Sequence, residues 1–454
     1  MAAATILIKN GRLIDPAQGI DRVGDLWLKG PEVERFVEAG VDPAEKAMLL
    51  GPEDTDTDTR QAESAQADQT IDATGLLVCP GLIDMHVHLR EPGHEEEETI
   101  ASGSAAAVAG GFTSVATMPN THPPLDNEAA VEFIYRQAAR CGRCNVYPIG
   151  CITKRREGKE LAEMGQMVRA GAVAFSDDGD GVADAGVCQR AMQYSTMFDR
   201  PIIQHCQDND LAGDGVMNSG PTALRLGLPG MSAMAEVIML QRDLVLAQAT
   251  GARYHVAHVS TAGAVELIRQ AKAQGIRVTA EVTAHHLALT EDACGNYDPN
   301  YKMSPPLRSQ ADVDACLQGL CDGTIDCLVT DHAPHSTEEK ELEFLYAPFG
   351  VIGLESALPV YIQALVEPGL MDWPDLIRRM TIHPARILGL AKGALAPGAD
   401  ADVTIIDPDL NWTIDVERFK SRSRNCPYHG WEVRGRAVVT IVGGVVKHTA
   451  GGAA

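Results

Sequence analysis

Basic residues are scarce in this chain of 454 residues: 38 lysines and arginines stand against 62 aspartates and glutamates, and only 5% of residues are aromatic. So acidic a surface repels phosphate backbones, which excludes general nucleic-acid binding. No run approaches eighteen uninterrupted apolar residues, which argues against a membrane-spanning helix. Met1 to Asp15 lacks the basic, apolar and cleavage regions of a secretory signal. The expected compartment is therefore the reducing cytoplasm, with the eleven cysteines as free thiols. Cys141 and Cys144 form a CxxC, but no second pair follows to complete a zinc ribbon.

What is present is a normal apolar share of 45%, enough for a sizeable core. Short strands are expected at Thr5 to Lys9 and Asp25 to Lys29, and again at Ala401 to Asp407 and Gly435 to Lys447. Strand-rich ends around a different middle predict a small β domain assembled from both termini. Between Val41 and Thr70 eight acids meet two bases with almost no apolar periodicity, which predicts a mobile acidic insertion at the surface. The middle alternates. Eight β-branched runs (Leu82–His88, Phe112–Met118, Asn145–Cys151, Ala172–Ser176, Pro201–Cys206, Arg253–Val259, Arg277–Val282 and Asp326–Asp331) are separated by helix-length segments such as Ile100–Ala109, Glu128–Ala139, Ser232–Ala249 and Gly263–Ala273. Strand alternating with helix implies parallel pairing and right-handed crossovers, and eight such units match an α/β fold of the (β/α)8 barrel type. Periodicity alone leaves a doubly wound open sheet as the alternative.

A barrel places its chemistry at the C-terminal ends of its strands. There the sequence puts His86 and His88, Asp178, His205, His258 and Asp331. Side chains repeat every second residue along a strand, so His86 and His88 share a face. A lone HxH is weak, since strand histidines are more often satisfied core residues. Four His and two Asp at five strand ends are harder to produce by packing. Imidazole with carboxylate suits zinc, with manganese or cobalt conceivable. Six ligands exceed one tetrahedral site, whereas two metals about 3.5–4 Å apart sharing a carboxylate would use them all. One ion remains the alternative.

Other candidates have plainer expectations. His255 lies three residues before His258 and is expected on the opposite side of its strand, against a helix. His285 and His286 are expected to be structural, and His332 is out of phase with Asp331 and unassigned. Glu95 to Glu98 are expected to complement a helix N-terminus and stay solvated.

These residues sit in phrases that resemble dihydroorotases, the cyclic amidohydrolases of pyrimidine (UMP) biosynthesis: Pro80 to Gly93 (PGLIDMHVHLREPG), Gly110 to Thr121 (GGFTSVATMPNT), Ala174 to Gly179 (AFSDDG), His258 to Thr261, Val278 to Thr283, Thr330 to His335 (TDHAPH) and Ala347 to Gly350. The order and spacing hold from about residue 70 to the end. The match is to the longer bacterial type, whose metals are bridged by aspartate rather than a modified lysine. The resemblance implies a (β/α)8 barrel over 76–394 and a β-sandwich domain from 1–75 and 395–454. It also implies His86, His88 and Asp331 on one metal, His205 and His258 on the other, and Asp178 as the bridge. Arg90, Asn120, Ser304 and His335 would contact substrate. Two departures stand out: Ser304 replaces an Asn that contacts substrate in some relatives, and Glu97 falls where several carry Lys.

Such a site should hydrolyse or form an amide. Two divalent cations, expected to be Zn2+, would make a shared water acidic, and the resulting hydroxide would attack a polarised carbonyl. Asp331 would act as general acid and base toward the ring nitrogen. In the family the reaction joins L-dihydroorotate and N-carbamoyl-L-aspartate, both of which carry carboxylates, and Arg90 suits a carboxylate by its planar fork. The resemblance implies a homodimer and an association with aspartate carbamoyltransferase. Rival readings are a hydantoinase or allantoinase, or an inactive barrel serving that transferase. The charged segment after His335, Ser336 to Tyr346, is expected as a lid that closes over the site.

Overall fold

A computed structural model describes residues 4–39 and 67–451. The acidic insertion expected at 41–70 lies outside the described residues as far as residue 66. Its last two residues belong to a strand, β4 (Gln69–Asp72).

Both ends of the chain meet in one eight-stranded sheet. It is built from β1 (Thr5–Asp15), β2 (Ile20–Lys29), β3 (Glu32–Glu38), β4 and β5 (Leu77–Pro80), with β15 (Val403–Thr413), β16 (Glu432–Val442) and β17 (Val445–Thr449). β5 joins the halves, running parallel to β1 and antiparallel to β15. The terminal sheet thus reaches Pro80, past the boundary expected at residue 75, because Leu77 to Pro80 find partners on both sides. Ile6, Ile8, Leu13, Leu26, Leu28, Val403, Ile405 and Ile441 form its own apolar core. Between β16 and β17 the two-residue turn Gly443-Gly444 has φ of 55° and 72°, the left-handed pair that matches a hairpin's twist and that side chains resist.

The middle closes into a parallel barrel. β6 (Leu82–Val87), β7 (Phe112–Thr117) and β8 (Asn145–Pro148) pair in order. β9 (Ile202–Gln204), β12 (Tyr254–Val256), β13 (Val278–Thr283) and β14 (Cys327–Val329) form the other half, while β10 (Met217–Asn218) and β11 (Gly230–Met231) pair separately in a loop. Three single bridges complete the ring: Gly150 to Phe175, Phe175 to Ile202, and Val87 to His332. The open-sheet alternative is therefore set aside. The strand expected at Ala172–Ser176 shrinks to single bridges at Phe175. Asp177 accepts from the Ile152 and Thr153 amides, and the Asp178 amide donates to Ser176 Oγ.

The intervening helices begin where polar caps satisfy their first free amides. Thr99, Asn127 and Thr261 cap helices Ile100–Ala109, Glu128–Cys141 and Ala262–Ala273. Their apolar faces enter a core shared with the barrel strands and the inner side of β15 and β16, including Phe112, Val131, Ile134, Val256, Ile268, Ile406 and Ala437. No helix among the described residues is long and apolar enough to cross a membrane.

Candidate metal centre

Each predicted ligand leaves a strand end at the same mouth of the barrel. His86 comes from β6 and His88 follows it, Asp178 follows Phe175, His205 follows β9, His258 follows β12 and Asp331 follows β14. All six are nearly inaccessible to solvent. His258 and Asp331 have φ of 31° and 48°, a left-handed conformation that side chains disfavour and that the surrounding barrel must hold.

Asp178 lies at the centre. Its Oδ1 is 3.6 Å from His86 Nε2, 3.7 Å from His205 Nδ1 and 3.4 Å from His258 Nε2, and its Oδ2 is 3.6 Å from His88 Nε2. Asp331 Oδ1 approaches His88 Nε2 at 3.0 Å and His86 Nε2 at 3.4 Å. His205 Nδ1 and His258 Nε2 are 2.9 Å apart. Two sets, His86 with Asp178 and His258, and His86 with His88 and Asp331, bring their donor atoms within 4.8 Å of one another.

Buried polar atoms are ordinarily hydrogen-bonded. Here His86 Nε2 and Asp178 Oδ1, which face each other at 3.6 Å, have no hydrogen-bond partner among the described residues. Convergent imidazole and carboxylate donors left without partners are what a divalent cation requires, so the residues fit one. The charges of the cage act both ways: against their burial, Glu281, Asp178 and Asp331 raise His86, and Asp178 raises His258, above the ordinary imidazole value. Burial alone would raise Asp178 and Asp331, but His86, His88 and His258 hold both below the usual carboxylate range. Burial and the neighbouring His258 push His205 down to about 4, which keeps it neutral and able to ligate.

Residues outside the predicted set support this centre. Glu281 on β13 is fully buried, with Oε1 2.5 Å from His86 Nδ1 and Oε2 3.0 Å from His255 Nε2. Burial would raise Glu281, yet these two imidazoles bring it down to about 2. A carboxylate on the far nitrogen of a ligand histidine sets its tautomer and orientation. His255 therefore does not pack outward against a helix as expected: it binds Glu281 and Thr279 Oγ1. His332 takes the Gly353 amide on Nδ1 and faces Glu98 with Nε2 at 3.4 Å. His285 and His286 are buried beside the centre, and His286 Nε2 donates to the Pro305 carbonyl.

The predicted substrate residues divide. Asn120 Oδ1 is 2.8 Å from His88 Nδ1, directly beside the centre. Arg90 and His335 meet at 3.3 Å, and Arg90 Nε donates to the Pro334 carbonyl. Ser304 donates to Gln207 Oε1 at 3.2 Å, two residues past His205. Of Glu95 to Glu98, the first two are exposed as expected, whereas the last two are not. The helix starts only at Ile100, and Glu97 and Glu98 are buried. Glu98 accepts from Ser102 and Ser421, and Glu97 reaches Arg90.

The segment expected as a lid is tied to the barrel by two lysines. Lys340 Nζ donates to the carbonyls of Pro299, Lys302 and Pro348, and Lys302 Nζ to those of Phe344 and Leu345. Replacing Lys340 by Met should strand three carbonyls and cost about 2–4 kcal/mol locally. Faster amide exchange over 336–349 and a raised KM are the expected readouts, since His335 heads this segment. Burial also pushes folded Lys340 down to about 7. The unfolded chain then binds more protons above that value. The group's contribution to stability accordingly rises with pH from about 7 toward 10.4, and K340M should lack that rise.

Residues 75–264 match a family model described as dihydro-orotase-like. The chain is 46% identical over 443 residues to a protein of Syntrophus aciditrophicus named dihydroorotase, covering 98% of this chain and 99% of that one. It is 50% identical over 441 residues to the dihydroorotase of Pelotomaculum thermopropionicum, covering 97% and 98%. Among solved structures, an L-hydantoinase (dihydropyrimidinase) from Arthrobacter aurescens superposes with a TM-score of 0.84 at 27% identity, covering 100% of this chain and 98% of the other. A (β/α)8 barrel carrying a sheet built from both ends of the chain, a buried cage of histidine and aspartate at its mouth, and this level of identity over nearly the whole length lead to one conclusion: the chain is a cyclic amidohydrolase and belongs to the dihydroorotase family.

Proposed function

We propose that the chain interconverts L-dihydroorotate and N-carbamoyl-L-aspartate, a step of pyrimidine biosynthesis. The observation that carries this reading is Asp178 and Asp331 buried among four imidazoles, with the Arg90 guanidinium and His335 set together by the same mouth. The ligands in this reading are His86, His88, His205, His258, Asp178 and Asp331, holding two divalent ions, zinc by the character of the donors.

When bound, such ions supply Lewis-acid polarisation of the scissile carbonyl and an acidified water. Asp178 orients the centre, its carboxylate lying within 3.7 Å of all four histidines. Asp331, ionised at neutral pH, takes the attacking water's proton on a carboxylate oxygen and returns it to the leaving ring nitrogen. In the biosynthetic direction it removes the proton from the carbamoyl nitrogen as the ring closes. Arg90 holds the substrate carboxylate, and Asn120, His335 and Ser304 complete the pocket. With 24 surplus acids the global field repels an anionic substrate, so capture depends on local positive charge. A homodimer and an association with aspartate carbamoyltransferase belong to this reading on the family resemblance alone.

The test is turnover of dihydroorotate, hydantoin and allantoin by the purified protein, alongside its metal content. Dihydroorotate should be the preferred substrate, with zinc bound. Preference for either other ring would overturn the proposal.

A further inference from the structure

A carboxylate sits inside the pocket that should receive a carboxylate. Glu97 is 5% exposed, and its Oε2 lies 2.8 Å from Arg90 Nε. The contact is an ion pair rather than an aligned hydrogen bond, since Oε2 has no hydrogen-bond partner among the described residues. The same oxygen is 3.8 Å from His335 Nδ1, and Oε1 is 3.8 Å from His94 Nδ1. Burying an acid there would hinder an anionic substrate unless the acid serves the guanidinium itself.

Arg90 needs such service. Its backbone is left-handed, with φ of 60°, and its side chain extends to the carbonyl of Pro334. A guanidinium offers five N–H groups in a rigid fork. The Nε edge is occupied by Pro334 and Glu97, and Nη2 also touches His335 Nε2. The end of the fork, the Nη1 and Nη2 pair, is the part left to grip an incoming carboxylate with two parallel bonds. Released from Glu97, the long side chain could turn about its axis and offer a different edge.

We propose that Glu97 is a positioning residue, whose buried carboxylate fixes the Nε edge of Arg90 so that its paired Nη groups face the substrate carboxylate. The inference rests on the reaction proposed above.

Steady-state kinetics with dihydroorotate and N-carbamoyl-L-aspartate test it in the wild type, Glu97→Ala, Glu97→Gln, Glu97→Asp, Arg90→Ala and the double variant E97A/R90A. Glu97→Ala should raise KM about tenfold, the scale of a lost charged contact, with kcat held within about twofold. Glu97→Asp should recover part of that loss. The isosteric Glu97→Gln should show the same split between KM and kcat if the alanine variant folds poorly. In the Arg90→Ala background the Glu97 substitution should add nothing, which a merely structural role would not produce. An unchanged KM in Glu97→Ala and Glu97→Gln, or a KM rise undiminished without Arg90, would overturn the proposal. A wild type inert toward both compounds would overturn the functional reading instead.

Discussion

Replacing Asp331 by Asn should lower kcat in both directions by about 10³-fold, within the range general acid–base groups contribute, while the protein stays folded. Asn keeps the volume and one acceptor oxygen but cannot take a proton. The wild-type carboxylate is buried, faces His88 at 3.0 Å and His86 at 3.4 Å, and is held below the ordinary range by those imidazoles. It is therefore ionised across the neutral range and ready to act as a base before substrate arrives. Its left-handed backbone, with φ of 48°, shows that position 331 is set by the barrel and not by local preference. The loss should fall on kcat more than on KM, because the proposed grip on the substrate carboxylate lies elsewhere, at Arg90. Stopped-time assays of ring closure and opening, with metal analysis and circular dichroism on the same samples, check this. Undiminished turnover in folded Asp331→Asn would remove Asp331 from the mechanism.

The histidines and aspartates were legible because a barrel exposes strand ends, and the sequence places ionisable residues at the ends of apolar runs. Their partners were harder to see. Glu281 lies within an apolar strand 195 residues from His86, and only closure of the ring brings them together. A lone acid in an otherwise buried run was the available signal. The position of His255 depended on local twist: three residues from His258 suggested opposite faces, yet β12 ends at Val256 and the chain turns, so both histidines reach Glu281, His258 through its backbone amide. Two of the four consecutive glutamates, Glu97 and Glu98, were misread for a related reason. Charge runs are usually solvated, as Glu95 and Glu96 are, but here Thr99, not Glu95, caps the helix, and Glu97 and Glu98 are buried. Glu97, a departure with no partner visible in the sequence, acquires one in Arg90.

Removing metal should abolish turnover and destabilise the fold, and Asp178→Asn should reproduce most of both effects. A ligand bound only by the native state, at a thousand times its Kd, stabilises it by about 4 kcal/mol. Chelation should then lower the melting temperature by about 5 °C or more. Asp178 is the point where this is decided, since its two oxygens face His86, His205, His258 and His88. Asparagine there leaves the histidines with one carboxylate instead of two. Metal content should fall below that of the wild type, kcat should drop about 10³-fold, and chelator should shift the melting temperature far less than in the parent. Acid should mimic chelation. Protons compete with metal for imidazole nitrogen, so affinity declines as pH falls. Atomic absorption, thermal melts with and without chelator, and activity after zinc is restored distinguish these outcomes. Full metal content and wild-type turnover in Asp178→Asn would show that the centre does not depend on the carboxylate at its heart.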